Sequence, residues 1–192
     1  MKISVKEIEK RVIALLDENE AILDERVTYG DPETELRTLI EMLLPDAARM
    51  VLAELPASRL SECSRLPVAG LRHLSGRMAA LPLPHDFLRL LYFRMSDWDR
   101  GVSEALVAGG EAYQLRFREG GRRRRGAVAV TGAGEEKMLE IFGTGSDSTV
   151  VSACYLGAPE IVDGMIDIPA SALYDIASKI ASMVKELTEH ND

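Results

Sequence analysis

The stretch "LPLPHDFLRLLYFRMSDW", Leu81 to Trp98, decides the fold class. Pro82 and Pro84 drive the residues before them into extended geometry. From Phe87 to Phe93 the chain is mostly aromatic and aliphatic, with Arg89 inside that run and Arg94 just after it. This reads as a strand, closed by a turn near Ser96-Asp97. The chain before the stretch reads as helices. The chain after it reads as strands and then one more helix. Helices, strands and a helix in blocks, rather than in alternation, give an α+β fold.

Upstream, residues 3–26 have Val5, Ile8, Val12, Leu15 and Leu16 at helical spacing, with charges between them. Tyr29-Gly30 ends that segment. Asp31-Pro32 then supplies a cap followed by proline at the first helical position, and Glu33 and Glu35 suit the positive end of the dipole. Leu36, Leu39, Ile40, Leu43 and Leu44 stripe a second helix. Pro45 is expected to kink or break it, because the ring removes a backbone bond and crowds the preceding turn. The helical pattern resumes through Ala47, Met50, Val51 and Leu55. Pro56 to Leu81 is less regular, interrupted by Gly70 and Gly76.

Downstream, Gly109-Gly110 is a break, and Ala112 to Phe117 suits a short helix or strand. "AVAVT", Ala127 to Thr131, is a strand, "GAGEEK" a turn, and Met138 to Phe142 the returning strand of a hairpin. Thr149 to Tyr155 is β-prone, and Ile166 to Ile168 suits a short strand. Ala170 to Leu187 places Leu173, Ile176, Ile180, Met183, Val184 and Leu187 on one helical face, and Ala177, Ser178, Ala181 and Ser182 allow close packing. The expected architecture is one connected domain over 1–192. It has N-terminal helices (1–56), a β-rich portion of small antiparallel hairpins (81–168) and a long C-terminal helix (169–190) packing back on the helical bundle. Leu15, Leu39, Leu43, Phe87, Leu90, Ile141, Ile176 and Ile180 are the expected core.

At 192 residues, 46% apolar and 28% charged, the composition is that of a soluble globular protein with a sizeable core. No run approaches the length of a membrane span, and MKISVKEIEK has no apolar stretch of signal-peptide type. Cys63 and Cys154 form neither a CxxC pair nor a disulfide framework, so a reducing compartment is expected.

Motifs for chemistry are weak. "AVAVTGAGEEKML" imitates a strand followed by a dinucleotide-binding turn. However, Lys137 stands where the third glycine belongs, Glu135 and Glu136 would face the pyrophosphate, and too little chain follows to complete the sheet. "GTGSDS", Gly143 to Ser148, lacks the Gly-Lys-Ser/Thr end of a phosphate loop and reads as a polar connection. His73, His85 and His190 have no metal-ligand spacing, and His85 suits a turn. Cys154 reads as a small core residue. Asp17, Glu18 and Glu20, or Asp163 and Asp167, read as solvated charges, since no joint constellation organises them. No catalytic, cofactor or metal residues are therefore expected.

The one strong charge feature is "GGRRRRG", Gly120 to Gly126. Six arginines and one glutamate fall between Arg116 and Arg125 in a chain of net charge −8. An acidic body argues against general nucleic-acid coating. With only Tyr113 and Phe117 nearby for stacking, single-strand binding is weakly supported. Arg122, Arg123, Arg124 and Arg125 are the candidate contact loop for phosphate or for acidic protein, because guanidinium groups fit both.

As an ordered pattern, "LPLPHDFLRLLYFRMSDW", "KMLEIFG", "VVSACYLGAPEI" and "ALYDIASKIASMV" resemble the head–tail connector (adaptor or ring) proteins of tailed bacteriophages, short-tailed or crAss-like. The resemblance covers about Leu81 to Leu187. Tyr155 and Pro159 keep only loosely the Tyr-x-Pro-x-Pro-like step of that pattern. Pro84, Asp86, Phe87, Leu88, Arg89 and Leu90 are the residues it marks as fold-determining. It implies a non-enzymatic virion protein at the head–tail interface, assembled in the bacterial cytoplasm. There it would form a homo-oligomeric ring, usually a dodecamer, below the portal. Such a ring extends the DNA channel, receives tail or further ring proteins, and touches DNA without sequence preference. No membrane partner and no cofactor are implied. A ring would repeat the arginine run into a belt of charge, acting only at close range given screening over about 8 Å. Two other readings stand beside this one: a cytoplasmic nucleic-acid-associated regulator using Arg122–Arg125, and a small enzyme with a diffuse site.

Overall fold

The structure is a computed structural model that describes residues 1–17, 32–60, 63–74, 77–117 and 126–189. In chain order the elements begin with β1 (Lys2–Ser4), α1 (Val5–Asp17), α2 (Pro32–Glu54), β2 (Ser64–Arg65) and β3 (Arg72–Leu74). Next come β4 (Met78–Pro82), β5 (Phe87–Met95), β6 (Leu106–Val107), α3 (Glu111–Gln114), β7 (Ala127–Thr131) and β8 (Met138–Phe142). The chain finishes with β9 (Val150–Gly157), β10 (Ile161–Val162), β11 (Met165–Asp167) and α4 (Leu173–Glu189). The fold is α+β. It divides into two compact units, one of Met1–Ser61 with Ala158–Asp192 and one of Glu62–Gly157.

In the first unit, α4 packs on both α1 and α2. The apolar stripes of the three helices meet through Ile8, Val12 and Leu16, through Ile40, Leu44, Ala47, Ala48 and Leu52, and through Ile176, Ala177, Ile180, Ala181 and Val184, all buried. Ala177 and Ala181 face inward, whereas Ser178 and Ser182 face solvent. A small antiparallel sheet, β1-β11-β10, completes the unit and buries Ile3 and Ile166. Arg59, just after α2, is tied to α4: its guanidinium meets Asp175 at 2.8 Å and the Ser171 carbonyl, and the Ser171 hydroxyl donates to the Arg59 carbonyl at 2.7 Å.

Three expectations need correction here. Residues 2–4 are strand rather than the start of a helix, paired edge to edge with β11, and the expected helix beyond Asp17 lies outside the described residues. Pro45 does not break α2, which runs from Pro32 to Glu54 with the proline inside it. The lost backbone bond is one among many, and burial of Leu44, Ala47 and Ala48 beside it holds the helix line. Leu15, Leu39 and Leu43 are half-buried flanks, while their neighbours Leu16, Ile40 and Leu44 occupy the core.

The second unit holds two sheets, β3-β4-β8-β7-β6 and β2-β9-β5. All pairings are antiparallel except β6 with β7. Ala79, Leu81, Val128, Leu139 and Ile141 from the first sheet share one core with Phe87, Leu90, Phe93, Met95, Ala153 and Tyr155 from the second. The expected Ala127–Thr131 and Met138–Phe142 hairpin is present in register from Ala127↔Phe142 to Thr131↔Met138. Strands begin earlier than expected, at Ser64, and β4 is the paired neighbour of β8 inside the larger sheet.

β5 lacks strict alternation: Phe87, Leu90, Phe93 and Met95 are buried. The reason is its register with β9, which shifts between Phe87 and Arg89 and again between Leu90 and Tyr92. Each extra residue resets which side chains face inward.

Candidate functional site

The residues of the Leu81–Trp98 stretch act first on each other and on β9. Asp86 sits in the turn before β5, alongside His85. Its carboxylate accepts from the Tyr155 hydroxyl at 3.1 and 3.3 Å. The Tyr155 ring stacks on Phe87, with centroids 5.7 Å apart and planes 16° from parallel. Burial and the bond to Asp86 push the Tyr155 phenol up, against a weaker opposing hydrogen bond from Ser64. Gly157 passes so close to Asp86 that an added Cβ would lie 2.6 Å from its carboxylate. Asp86, Phe87 and Tyr155 thus clamp the start of β5 to the end of β9.

A second clamp closes the other end of β5. Asp97 accepts from the Gly145 amide at 2.8 Å and from the Thr144 hydroxyl at 3.2 Å. Desolvation works against its charge, but donors from Gly145, Ser148, its own backbone and Thr144 outweigh it and hold the carboxyl below its usual range. Ser96 exchanges two bonds with Thr149, at 2.8 and 3.0 Å. "GTGSDS" is therefore a polar connection, as its composition suggests, whose Thr144 and Ser148 are buried by service to Asp97.

Arg122, Arg123, Arg124 and Arg125 lie outside the described residues. The chain on either side of the run is firmly built. Before it, Tyr113, Phe117 and Phe142 form mutual edge-to-face contacts with centroids 5.1 to 5.8 Å apart. The Tyr113 hydroxyl donates to Glu140 at 2.8 Å, a bond that raises its pKa. After it, Gly126 lies flat on the Trp98 indole: an added Cβ would come within 2.1 Å of the ring. Trp98 is 2% exposed and meets Phe93 edge-on at 5.7 Å. Tyr113 and Phe117 both pack on Phe142, and Phe117 remains 49% exposed.

Among the described residues, no group of three His, Cys, Asp or Glu side chains is placed to hold a metal ion, and no helix is long and apolar enough to cross a membrane. Asp163 has a left-handed backbone at φ 51° in the turn between β10 and β11, next to Gly164 at φ 70°. Cys154 is half-buried on β9 rather than in the core, and Cys63 is exposed. No protein-family model matches the chain, and no curated protein matches its sequence.

Proposed function

We propose that this chain is a non-enzymatic assembly subunit, a head–tail connector that forms a ring below the portal of a tailed bacteriophage. The supporting observation lies on α2. Leu36, Leu39 and Leu43 are half-buried and Met50 is 50% exposed. Spacings of three, four and seven put these four on one helical face, next to the face that α1 and α4 cover. A partly covered apolar flank that runs out to the exposed Met50 suits a neighbour subunit, which would complete its burial. The resemblance over Leu81–Leu187 supplies the particular assembly. Its marked residues are employed as fold determinants: Asp86 and Phe87 in the first clamp, Leu90 in the core.

The test is electron microscopy of the protein mixed with the portal from the same genome, beside each component alone. A ring added to one end of the portal is the expected result. Absence of association at every salt concentration overturns the connector reading. Steep salt-dependent binding of the chain to DNA under the same conditions would move the weight to the regulatory reading.

A further inference from the structure

We propose that Cys63 and Cys154 are a thiol pair that oxidises to an intramolecular disulfide, closing the Glu62–Gly157 unit at its own two ends. The pair is invisible in sequence spacing and is made by strand register. Ser64 stands opposite Tyr155 and Arg65 opposite Cys154. Continued one residue back, that register puts Cys63 opposite Leu156, on the same face of the sheet as Cys154. Cys154 lies near enough to act on the Cys63 thiol, and neither cysteine is in a disulfide.

Diagonal neighbours across a ladder are about 7–8 Å apart between Cα atoms, slightly beyond the usual disulfide range of about 4.4–6.8 Å. The remaining approach falls to β2, a two-residue strand at the sheet edge with both residues exposed. The bond would sit where the chain enters this unit at Glu62 and leaves it at Gly157. It therefore encloses nearly the whole unit in one covalent loop, the arrangement in which a cross-link removes most unfolded-chain freedom.

The oxidant is a small organic disulfide, RS–SR. Cys63, the exposed partner, loses its proton to solvent, and its sulfur attacks one sulfur of the oxidant. One RS⁻ departs and is protonated. The Cys154 thiolate, its own proton given to solvent, then attacks the Cys63 sulfur of the mixed disulfide and expels the second RS⁻. Two protein thiols are oxidised and one RS–SR is reduced to two RSH. Desolvation and the adjacent Cys154 push the Cys63 thiol up, so the first step is slow near neutrality and quickens as pH rises and the thiolate forms.

The experiment uses the full chain, dilute, incubated with oxidised glutathione. It is quenched with acid, alkylated and mapped by mass spectrometry without reduction. The expected product is a monomer containing a cross-linked Cys63–Cys154 peptide. It forms faster at higher pH, and its Trp98-monitored melting is raised by about 5–10 °C over the reduced chain. Cys154→Ser should stop at a stable glutathione adduct on Cys63, and Cys63→Ser, which lacks the first attacking thiol, should react much more slowly. Persistence of both thiols in the native wild type overturns the proposal. So do adducts without the internal bond, or cross-linking only between chains. The wild-type measurement stands even if the Cys154 variant does not fold.

Discussion

Replacing Tyr155 with phenylalanine isolates one half of the clamp at the start of β5. The substitution keeps the ring stacked on Phe87 and removes only the hydroxyl that Asp86 accepts at 3.1 and 3.3 Å. A hydrogen bond to a charged acceptor contributes about 1.5–3 kcal/mol when well desolvated. Asp86 is half-buried and regains water once the hydroxyl is gone, so about 1–2 kcal/mol is the expected loss. Tyr155→Ala also discards the ring of a residue only 6% exposed, and should cost about 3–5 kcal/mol. Asp86→Asn keeps an acceptor and should cost less than Asp86→Ala. The assay is urea unfolding followed by Trp98, the single tryptophan, which lies in the core of this unit. Its fluorescence follows the β unit, while far-ultraviolet dichroism near 222 nm, about the helix band, follows mainly α1, α2 and α4. With a slope of about 1–2 kcal/mol/M, Tyr155→Phe should move the tryptophan midpoint down by about 1 M. A midpoint equal to wild type, or a loss as large as that of Tyr155→Ala, would refute the clamp as the hydroxyl's role.

Other outcomes follow from the same geometry. Gly126→Ala should destabilise the β unit by about 1–3 kcal/mol, since its Cβ would fall 2.1 Å from the Trp98 indole; the tryptophan emission should shift in the folded state, and an unshifted, fully stable variant refutes the close approach. Asp97 has a folded pKa held below its unfolded value, so its contribution to stability is present above the ordinary carboxylate range and is lost as pH falls through the depressed folded value. Asp97→Asn should therefore show a flatter acid limb than wild type in stability against pH, and parallel limbs would contradict it. Met50→Glu should leave the helical dichroism of the isolated chain unchanged while reducing ring formation on the portal at least tenfold; unchanged assembly would remove α2 from the subunit contact.

The α+β order was legible because each block carries its own period: heptad-like stripes at Ile8–Leu16 and Ile176–Val184, and compact β-prone runs at Phe87–Phe93 and Ala127–Thr131. The misplaced core residues show the limit of that signal. Leu15, Leu39 and Leu43 each sit beside an equally apolar residue, and a stripe two residues wide does not say which edge faces inward. That choice is made by the helices packed against it. Pro45 misled for a similar reason: its penalty is local, whereas burial along α2 is not. The strands β2 and β3 were hidden because two or three residues carry no period, and β4 because its Met-Ala-Ala-Leu-Pro run has little β-propensity; partners such as β8 and β9 make them strands.

The chemistry of the Leu81–Trp98 stretch was partly legible and in an unexpected form. Two aspartates flank β5, Asp86 immediately before it and Asp97 just after it. In the fold each is used by the segment opposite, Asp86 by Tyr155 on β9 and Asp97 by Thr144, Gly145 and Ser148 in the loop before β9. Strand register decides this, because β5 and β9 run antiparallel and so bring the start of one to the end of the other. The register of β2 with β9 likewise sets Cys63 diagonal to Cys154, which no spacing rule would join. The arginine run is the converse case. Its charge is plain in the sequence, and its stems are fixed by Phe117 on Phe142 and by Gly126 on Trp98. Screening over about 8 Å means that charge of this kind acts only on a partner at close range. Replacing Arg122–Arg125 with serine should therefore weaken portal docking or DNA retention while leaving Trp98 unfolding unchanged. Intact docking and retention in that variant would return the run to the role of a solvated loop.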